Sequence, residues 1–264
     1  MRPFLFLGTR AEDDVAQQEY DAVLAGCGLR PDELVRMRLE ATPLGEVDLD
    51  DWSGIILGGG PFNMSDPDDA KSPAQRRAEA ELRSLAVRVV EADFPFLGAC
   101  YGIGVLGTLR GGVVDRTFGE PIGALPVRLT DAGRDDPLFG TLPAEFAAYL
   151  GHKEAVSRLP DGAVLLAATV TCPVHAFRIG RNVYATQFHP ELDAVAICDR
   201  IDAYSAHGYY EPHEREQLKA AAREAMVTEP VRLLARFVEL HAREWPADRN
   251  SQLPSRVRSP RLEG

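Results

Sequence analysis

A cysteine at a tight corner between an apolar run and a helix-compatible stretch constrains the fold of this chain more than any other feature. The short apolar run from Pro95 up to the cysteine indicates a buried strand, and the apolar residues 101–109 are compatible with a helix. Gly98 and Gly102 lie two positions on either side of Cys100, where small residues let a strand and a helix approach each other. The G-x-C-x-G pattern therefore predicts a strand-turn-helix corner that presents a thiol. A cysteine merely buried in a Gly-rich turn is the alternative interpretation.

A His-Pro-Glu sequence follows another predicted strand, at residues 183–188. Side chains two positions apart on an extended segment face the same side, so Glu191 is placed to hold the imidazole of His189. Pro190 stiffens the link between them and ends the strand. Together with Cys100, these residues supply the nucleophile, the base and the orienting carboxylate that acyl transfer through a thioester needs. A surface His-Pro-Glu turn is the alternative interpretation.

A glycine run follows a third apolar strand. Residues 55–57 predict a central strand, and Gly58 to Gly60 release the chain where backbone must lie against a ligand. No Gly-Lys-Ser/Thr follows, which excludes a P-loop, and the glycine spacing before Pro61 excludes a dinucleotide-binding turn. Cys100 ends the next predicted strand, so we expect both loops at one edge of a parallel sheet. An ordinary strand-end turn is the alternative interpretation.

Three blocks of this sequence, at residues 55–61, 98–102 and 187–191, resemble those of the class I (triad) glutamine amidotransferases. The sequence is most similar to the amidotransferase domain of GMP synthase in its free-standing form, over about residues 2–195. The resemblance implies that glutamine is hydrolysed to glutamate and that the ammonia passes to an acceptor. It also implies the fold of that family, a flavodoxin-like α/β sheet.

The resemblance assigns roles to individual residues. It implies that Cys100 is the nucleophile, that His189 is the base and that Glu191 orients the base. It also implies that the backbone amides of Gly60 and Tyr101 form the oxyanion hole. The position of Tyr101 at a predicted helix start suits this role, because the first amides of a helix have no acceptor within it.

The resemblance also indicates where the substrate binds. It implies contacts from Gly59, Gly104, Gly151 and His152, with the last two expected in a turn that lines the substrate. The family usually has Gln or His at the position of Gly104, so this chain lacks one side-chain contact to glutamine. Either another residue provides that contact, or the amide donor is a compound other than free glutamine.

The charge balance and the cysteines limit the possible partners. Lys and Arg number 29 against 40 Asp and Glu, a net charge of −11, which argues against nucleic acid and anionic membranes. We recognise neither a signal peptide nor an apolar run long enough to span a membrane. The four cysteines are scattered with no C-x-x-C, which indicates a reducing cytoplasm and neither a disulfide frame nor a zinc site. We therefore expect no metal and no cofactor.

The order of predicted elements indicates an α/β fold, a doubly wound and mostly parallel sheet with flanking helices. Between residues 113 and 188, short apolar runs separated by Gly, Pro and Asp predict a small antiparallel β extension. We expect one domain over residues 1–245, with a C-terminal helical extension at about 192–245, and a flexible tail at 246–264. The extension contains three predicted helices, at 192–206, 213–226 and 229–244.

An intact catalytic set favours an enzyme, a glutaminase-type amidotransferase. Two alternatives remain open, a hydrolase of other γ-glutamyl amides and a non-catalytic binding or regulatory protein on the same fold. Roughly 70 residues follow the His-Pro-Glu block, too few for an ATP-using synthetase domain, so we expect the acceptor enzyme to be a separate chain. Segment 205–224 carries Tyr209, Tyr210 and Pro212, and we expect it to contact a second copy or the acceptor enzyme.

Overall fold

A nine-stranded sheet with helices on both faces forms the centre of the computed structural model, which describes residues 1–204 and 210–245. Residues 205–209 of the expected contact segment and the predicted tail 246–264 lie outside the described residues. The strands are β1 (Phe4–Gly8), β2 (Leu34–Arg38), β3 (Ile55–Leu57), β4 (Phe96–Ala99), β5 (Val113–Asp115), β6 (Glu120–Leu129), β7 (Glu145–His152), β8 (Ala155–Arg158), β9 (Val164–Ala168), β10 (Ala176–Ile179) and β11 (Val183–Thr186). The helices are α1 (Asp13–Cys27), α2 (Pro73–Glu91), α3 (Tyr101–Gly107), α4 (Asp131–Arg134), α5 (Ala194–Ala203), α6 (Arg215–Glu224) and α7 (Arg232–His241).

The sheet has a parallel half and an antiparallel half. Its strand order is β2-β1-β3-β4-β11-β10-β9-β6-β7. The pairs from β2 to β11 are all parallel, whereas the pairs from β11 to β7 are all antiparallel. Strands β5 and β8 form a separate antiparallel pair. The predicted α/β class is confirmed, and the antiparallel extension, four strands of the main sheet, is more extensive than we expected.

Alternate side chains of the parallel strands enter two apolar cores. On β1, Leu7 belongs to a buried cluster with Leu82 of α2. Phe4 belongs to a second cluster with Phe237 of α7, and the two ring centroids are 6.1 Å apart. Both faces are therefore covered, which explains why β1, β3 and β4 are continuously apolar and wholly buried.

Helix α2 begins as the sequence predicts. The hydroxyl of Ser72 accepts a hydrogen bond from the amide of Gln75 at 3.1 Å, and Pro73 occupies the first helical position. The helix buries one face, including Leu85 and Val89, against the parallel strands.

Within the described residues, no helix is both long and apolar enough to cross a membrane.

The described part of segment 205–224 packs on the chain's own core. Tyr210, Leu218 and Ala222 belong to or pack against a third apolar cluster, which also contains Tyr149 of β7. The hydroxyl of Tyr149 donates to the carbonyl oxygen of Ala222 at 2.6 Å. The predicted helices here are shorter than we expected, and the expected contact of this segment with another chain stays a prediction.

Candidate active site

The corner at Cys100 joins β4 to α3, as the sequence predicts. Cys100 has a φ of 50° and a ψ of −93°, a backbone conformation that is unfavourable for a residue with a side chain. A Cβ atom on Gly98 would lie 2.9 Å from the backbone of Gly102, so only glycine allows this approach of strand and helix. The Cys100 amide donates to the carbonyl oxygen of Thr186 at 2.8 Å. These contacts hold the thiol at the carboxyl edge of the parallel strands.

His189 follows β11 and is buried beside this thiol. Its backbone amide donates to the carbonyl oxygen of Tyr149 at 3.0 Å. Its Nδ1 lies 2.8 Å from Oε1 of Glu191, so Nδ1 carries a hydrogen and donates to the carboxylate. The imidazole lies close enough to Cys100 for the two groups to interact electrostatically, and both line one cavity. The structure thus brings the three predicted residues Cys100, His189 and Glu191 together.

Charges around the imidazole favour its protonated form. Burial alone would lower the pKa of His189, but the negative charge of Glu191 and the interaction with Cys100 raise it to about 9. Burial would raise the pKa of Glu191, but His189 and Arg200 hold it well below its usual range. These shifts favour an imidazolium paired with a carboxylate near neutral pH.

A buried arginine of α5 contacts both members of this pair. Arg200 donates through Nη2 to Oε1 of Glu191 at 3.0 Å, and the same nitrogen lies 3.3 Å from Oε1 of Glu19. Its Nη1 lies 3.0 Å from Nδ1 of His189. The positive charge of Arg200 opposes protonation of the imidazole and limits the increase in the pKa of His189. The arginine therefore tunes the base as well as holding its carboxylate.

A second buried arginine extends the network. Arg10 donates through Nε to Oε1 of Glu19 at 2.9 Å and through Nη1 to the hydroxyl of Tyr204 at 2.6 Å. Neither Arg10 nor Arg200 is among the residues predicted from the sequence. Arg10 could have been found, because it follows β1 at the carboxyl edge of the sheet, where active-site residues of α/β proteins gather. Arg200 lies within a helix and has no comparable local signal.

The glycine loop after β3 lies against the imidazole. A Cβ atom on Gly59 would lie 2.5 Å from Cε1 of His189 and 3.2 Å from Cβ of Cys100. A Cβ atom on Gly60 would lie 1.9 Å from the hydroxyl oxygen of Thr9, and that hydroxyl donates to the carbonyl oxygen of Gly59 at 3.2 Å. A side chain at position 59 would therefore overlap the candidate catalytic groups, whereas a side chain at position 60 would meet Thr9.

Cys100 and His189 share a cavity with about 430 Å³ of space, part of it open to solvent. Gly60 and Gly151 contribute backbone to its wall, so these two predicted residues lie at the site. Tyr101, whose amide we expect in the oxyanion hole, begins α3 directly after the cysteine. The two buried arginines also line the cavity, together with apolar side chains from β6, β7 and α5.

Gly104 lies on the other side of Cys100, in a smaller cavity of about 150 Å³. A Cβ atom there would lie 3.1 Å from Oε1 of Glu154 and 3.1 Å from Cγ of Met64. Glu154 is fixed in this position, because its two oxygens accept from the amides of Met64 at 2.8 Å and Ser65 at 2.7 Å. Met64 and Glu154 therefore occupy the space that a longer side chain at position 104 would need.

His152 does not lie where we expected it. It is the last residue of β7 and not part of a turn, and its ring is not among the groups that line the two cavities beside Cys100. Its Nδ1 lies 2.9 Å from the carbonyl oxygen of Glu154, and its Nε2 lies 2.9 Å from Oε2 of Glu120. Because both ring nitrogens have protein partners, a substrate contact from this side chain is not supported. Its neighbour Gly151 alone faces the cavity.

The structure brings a strand-turn-helix cysteine, a His-x-Glu pair and a glycine loop together at one edge of an α/β sheet. A family model described as glutamine amidotransferase class-I matches residues 32–195 of this chain. The match covers more than half of the chain and contains the corner, the His-Pro-Glu sequence and the glycine loop. The chain therefore belongs to the class I glutamine amidotransferase family, which is a family of enzymes.

Curated relatives with similar sequences are GMP synthases. The glutamine-hydrolysing GMP synthase of Thermosipho africanus is 30% identical over 150 residues, which cover 56% of this chain and 26% of that protein. The A subunit of the glutamine-hydrolysing GMP synthase of Thermoplasma acidophilum is 29% identical over 147 residues, 55% of this chain and 66% of that protein. This chain thus matches about a quarter of the Thermosipho protein and just under two thirds of the Thermoplasma protein.

A solved structure shares the whole fold. The glutamine amidotransferase from Thermotoga maritima superposes with a TM-score of 0.65 and is 20% identical, covering 90% of this chain and 99% of that one. At this level of identity the similarity shows the fold alone.

Proposed function

We propose that this chain hydrolyses the side-chain amide of glutamine through a thioester at Cys100. The ammonia is delivered to a separate acceptor enzyme. One observation carries the proposal: His189 contacts Cys100 and the carboxylate of Glu191 at the same time, beside a cavity. This arrangement pairs a nucleophile with a base that is itself oriented, which is what thioester chemistry requires.

The first step forms the thioester. The sulfur of Cys100, whose proton His189 holds, attacks the amide carbon as a thiolate, and the carbonyl oxygen becomes an oxyanion. The amides of Gly60 and Tyr101 stabilise that charge, Gly60 from the cavity wall and Tyr101 from the first position of α3. The imidazolium of His189 then gives its proton to the leaving nitrogen, the carbon–nitrogen bond breaks, and ammonia departs.

The second step hydrolyses the thioester. His189, now neutral, accepts a proton from water while the water oxygen attacks the acyl carbon. The carbon–sulfur bond breaks, glutamate leaves, and the thiolate of Cys100 is regenerated beside the imidazolium. Glu191 keeps the hydrogen on Nδ1 and balances the charge of the ring throughout.

Release of glutamate and labelling of the cysteine test the proposal together. We expect the chain to release glutamate and ammonia from glutamine in equal amounts, and Cys100→Ala to release neither. Cys198→Ala is the control, because Cys198 is a buried thiol outside the cavity. A diazo-ketone analogue of glutamine should label Cys100 even if turnover waits for a partner. Labelling of Cys27 or Cys172, with Cys100 unmodified, would overturn the assignment.

Delivery of ammonia within a complex explains why a partner is part of the proposal. Ammonia is protonated and lost in water, so the acceptor site must be close to the point of release. The related protein of Thermoplasma acidophilum is named as one subunit of its synthase. We infer an ATP-using synthetase as a separate partner, and copurification with the tagged chain would identify it.

The four free cysteines suit the reducing cytoplasm that we infer as the location of this chain.

Substituted γ-glutamyl amides are the second candidate substrates. The observation that favours them is the environment of Gly104, where Met64 and Glu154 fill the place of a longer side chain. The ratio of kcat/KM for glutamine to that for γ-glutamyl methylamide and ethylamide decides between the two. A higher kcat/KM for the substituted amides than for glutamine would show that these amides are the substrates. The proposed thioester chemistry of Cys100 would be unchanged.

A further inference from the structure

A second cluster of ionisable side chains lies outside the candidate active site, where β6 and β7 meet the loop before β10. Its members are Glu120 of β6, His152 of β7, and Cys172 and His175 of the loop before β10, which are three separate parts of the sequence. All four are buried, with exposed fractions of 4%, 4%, 0% and 0%. One nitrogen, oxygen or sulfur atom from each lies within 4.8 Å of the others. The pairing of β6 with β7 places Glu120 directly opposite His152, so the fold itself assembles the cluster.

The hydrogen bonds of His152 leave two acceptors facing each other. Its Nδ1 lies 2.9 Å from the carbonyl oxygen of Glu154, which only accepts, so Nδ1 carries a hydrogen. In a neutral imidazole Nε2 then has a lone pair, and this nitrogen lies 2.9 Å from Oε2 of Glu120. The same oxygen lies 2.6 Å from Nε2 of His175. A cation held between Glu120 and His152 would satisfy both acceptors.

In the candidate active site, an arginine supplies the cation that lies between neighbouring acceptors. There the guanidinium of Arg200 lies between the carboxylates of Glu19 and Glu191. For Glu120, by contrast, the ion pairs found in residues 1–204 and 210–245 are with the two imidazoles. No arginine or lysine of those residues forms an ion pair with Glu120, which leaves the place between its carboxylate and the two imidazoles open to a metal ion.

The four donors match the ligands that zinc takes. Two imidazoles, a thiolate and a carboxylate suit a tetrahedral zinc site with metal–ligand distances of about 2.0–2.3 Å. Contacts behind the ligands also match, because metal-bound imidazoles commonly donate their other N–H to a carbonyl oxygen, as His152 does to Glu154. Oε1 of Glu120 accepts from the hydroxyl of Thr169 at 2.7 Å, which leaves Oε2 for the metal. Zn²⁺ with one thiolate and one carboxylate carries no net charge, which favours burial.

We propose that Glu120, His152, Cys172 and His175 bind one Zn²⁺ ion in a closed structural site. The protein supplies all four ligands, so the ion has no open position for a substrate. This site departs from the expectation of no metal, which relied on sequence spacing. Cys172 and His175 are three positions apart, but strand pairing brings Glu120 and His152 together, so sequence spacing could not reveal the full set.

The site lies directly behind the candidate active site. His152 follows Gly151, which lines the cavity shared by Cys100 and His189. The carbonyl oxygen of His175 accepts from the amide of Gln187 at 2.8 Å, two residues before His189. A bound ion would therefore connect the end of β7 to the loop before β10, which contacts the segment between β11 and His189. Loss of the ion should make the cavity wall less rigid.

Metal content tests the proposal. The chain is produced without a histidine tag and dialysed without chelator. We expect elemental mass spectrometry to find about one zinc ion per molecule. Cys172→Ser should weaken zinc binding at least about tenfold in competition with a chromogenic chelator. Cys198→Ser is the matched control, because it changes another buried cysteine outside the cluster and should keep the zinc. Equal zinc affinity in wild type and Cys172→Ser would overturn the proposal.

Cobalt substitution is measured on the wild-type protein, so its result does not depend on whether a variant folds. Wild-type protein loaded with Co²⁺ should show thiolate-to-cobalt charge-transfer absorption together with the intense visible bands of a tetrahedral ion. Failure to bind Co²⁺ or Zn²⁺, with NMR signals for hydrogens on both ring nitrogens of His152, would show that a proton fills the place and would overturn the site. Neither measurement involves amide hydrolysis, so this proposal stands or fails independently of the proposed function.

Discussion

Arg200 donates through Nη2 to Oε1 of Glu191 at 3.0 Å. That oxygen is also the acceptor for Nδ1 of His189, at 2.8 Å. One carboxylate oxygen therefore joins the arginine to the imidazole, and the arginine fixes the group that orients the base. Its charge acts in the opposite direction to that of Glu191, because it disfavours a proton on the ring. We assign Arg200 a positioning role that operates through these two residues.

Replacing Arg200 should change both the rate and its pH dependence. In Arg200→Gln we expect kcat to fall by about 10²-fold, because Glu191 loses a donor and the imidazole loses its fixed orientation. Formation of the thioester needs protonated His189, so kcat/KM of the wild type should fall as pH rises through the pKa of about 9. Arg200 lowers that pKa, so its removal should move the basic limb of kcat/KM to higher pH. Profiles of kcat/KM against pH measure the shift, and kcat at neutral pH measures the loss of rate.

Arg178→Gln is a suitable control for this variant. It breaks another partly buried ion pair, between Nε of Arg178 and Oδ2 of Asp136 at 2.9 Å, away from the cavity. We expect it to lower stability while leaving the pH profile unchanged. A positioning role for Arg200 is excluded if Arg200→Gln gives a basic limb that coincides with that of the wild type.

The parallel half of the fold and the corner at Cys100 could be predicted because their signals are local. Strands covered on both faces are continuous apolar runs, and β1, β3 and β4 each lie within a few successive residues. The corner depends on glycines two positions from the cysteine. Ser72 and Pro73 likewise mark the start of α2 within two residues.

Strand β7 and the charge network could not be predicted, because their signals are long-range. β7 contains two consecutive alanines and a glycine, which have little preference for strands, and it forms because β6 pairs with it. Glu19 and Arg200 are 181 positions apart in the sequence and meet only when α1 and α5 are both placed. His152 was misplaced for the same reason, since its partner Glu120 comes from the opposite strand.

A methyl group at position 59 should displace the imidazole. The Cβ atom of Gly59→Ala would lie 2.5 Å from Cε1 of His189, a distance that real contacts do not reach. The ring must move away from Cys100, and a displacement of about 1 Å costs on the order of 10²-fold in rate. We expect kcat to fall by about that factor while the circular dichroism spectrum stays unchanged. Gly123→Ala is the matched control, because no atom lies within 4 Å of its added Cβ. Equal activity of the two variants would contradict the observed contact.

Folding stability should fall between neutral and alkaline pH because of His189. Its pKa is raised from the ordinary value of 6.5 to about 9 in the folded chain. The folded state therefore binds the proton more tightly, and the stabilisation is complete below pH 6.5 and lost as pH rises through 9. The linked loss is at most about 3 kcal/mol. Urea unfolding at about pH 6 and about pH 9.5, on either side of this window, measures it.

His189→Gln isolates this contribution. The variant keeps the other titrating groups, so their effect on unfolding is present in both proteins. We expect the wild type to lose about 2–3 kcal/mol more than the variant between the two pH values. Cys100→Ala should give an intermediate result, because removing the sulfur removes one of the interactions that raise the pKa of His189. The same loss in all three proteins would show that His189 is not the group responsible.

Helix α6 should stabilise the fold of this chain, whether or not it also contacts another chain. Ala222 is 1% exposed, and its carbonyl oxygen accepts from the hydroxyl of Tyr149 at 2.6 Å. A carboxylate placed there would be buried without a partner, so we expect Ala222→Asp to lower the free energy of unfolding by about 3 kcal/mol or more. Ala221→Asp changes the adjacent, exposed residue and should have an effect of about 0.5 kcal/mol or less. Urea unfolding of the two variants gives the comparison.

Light scattering on the same variants separates packing from assembly. Because Ala222 packs into the third apolar cluster, Ala222→Asp should lower stability whatever the oligomeric state. Ala221→Asp, on the outer face of α6, is the variant that would disturb a contact with a second chain, since its side chain is available to one. A change in assembly with Ala221→Asp would support the contact that the sequence predicts for segment 205–224. Full stability of Ala222→Asp together with altered assembly would mean that α6 leaves the core to join a partner.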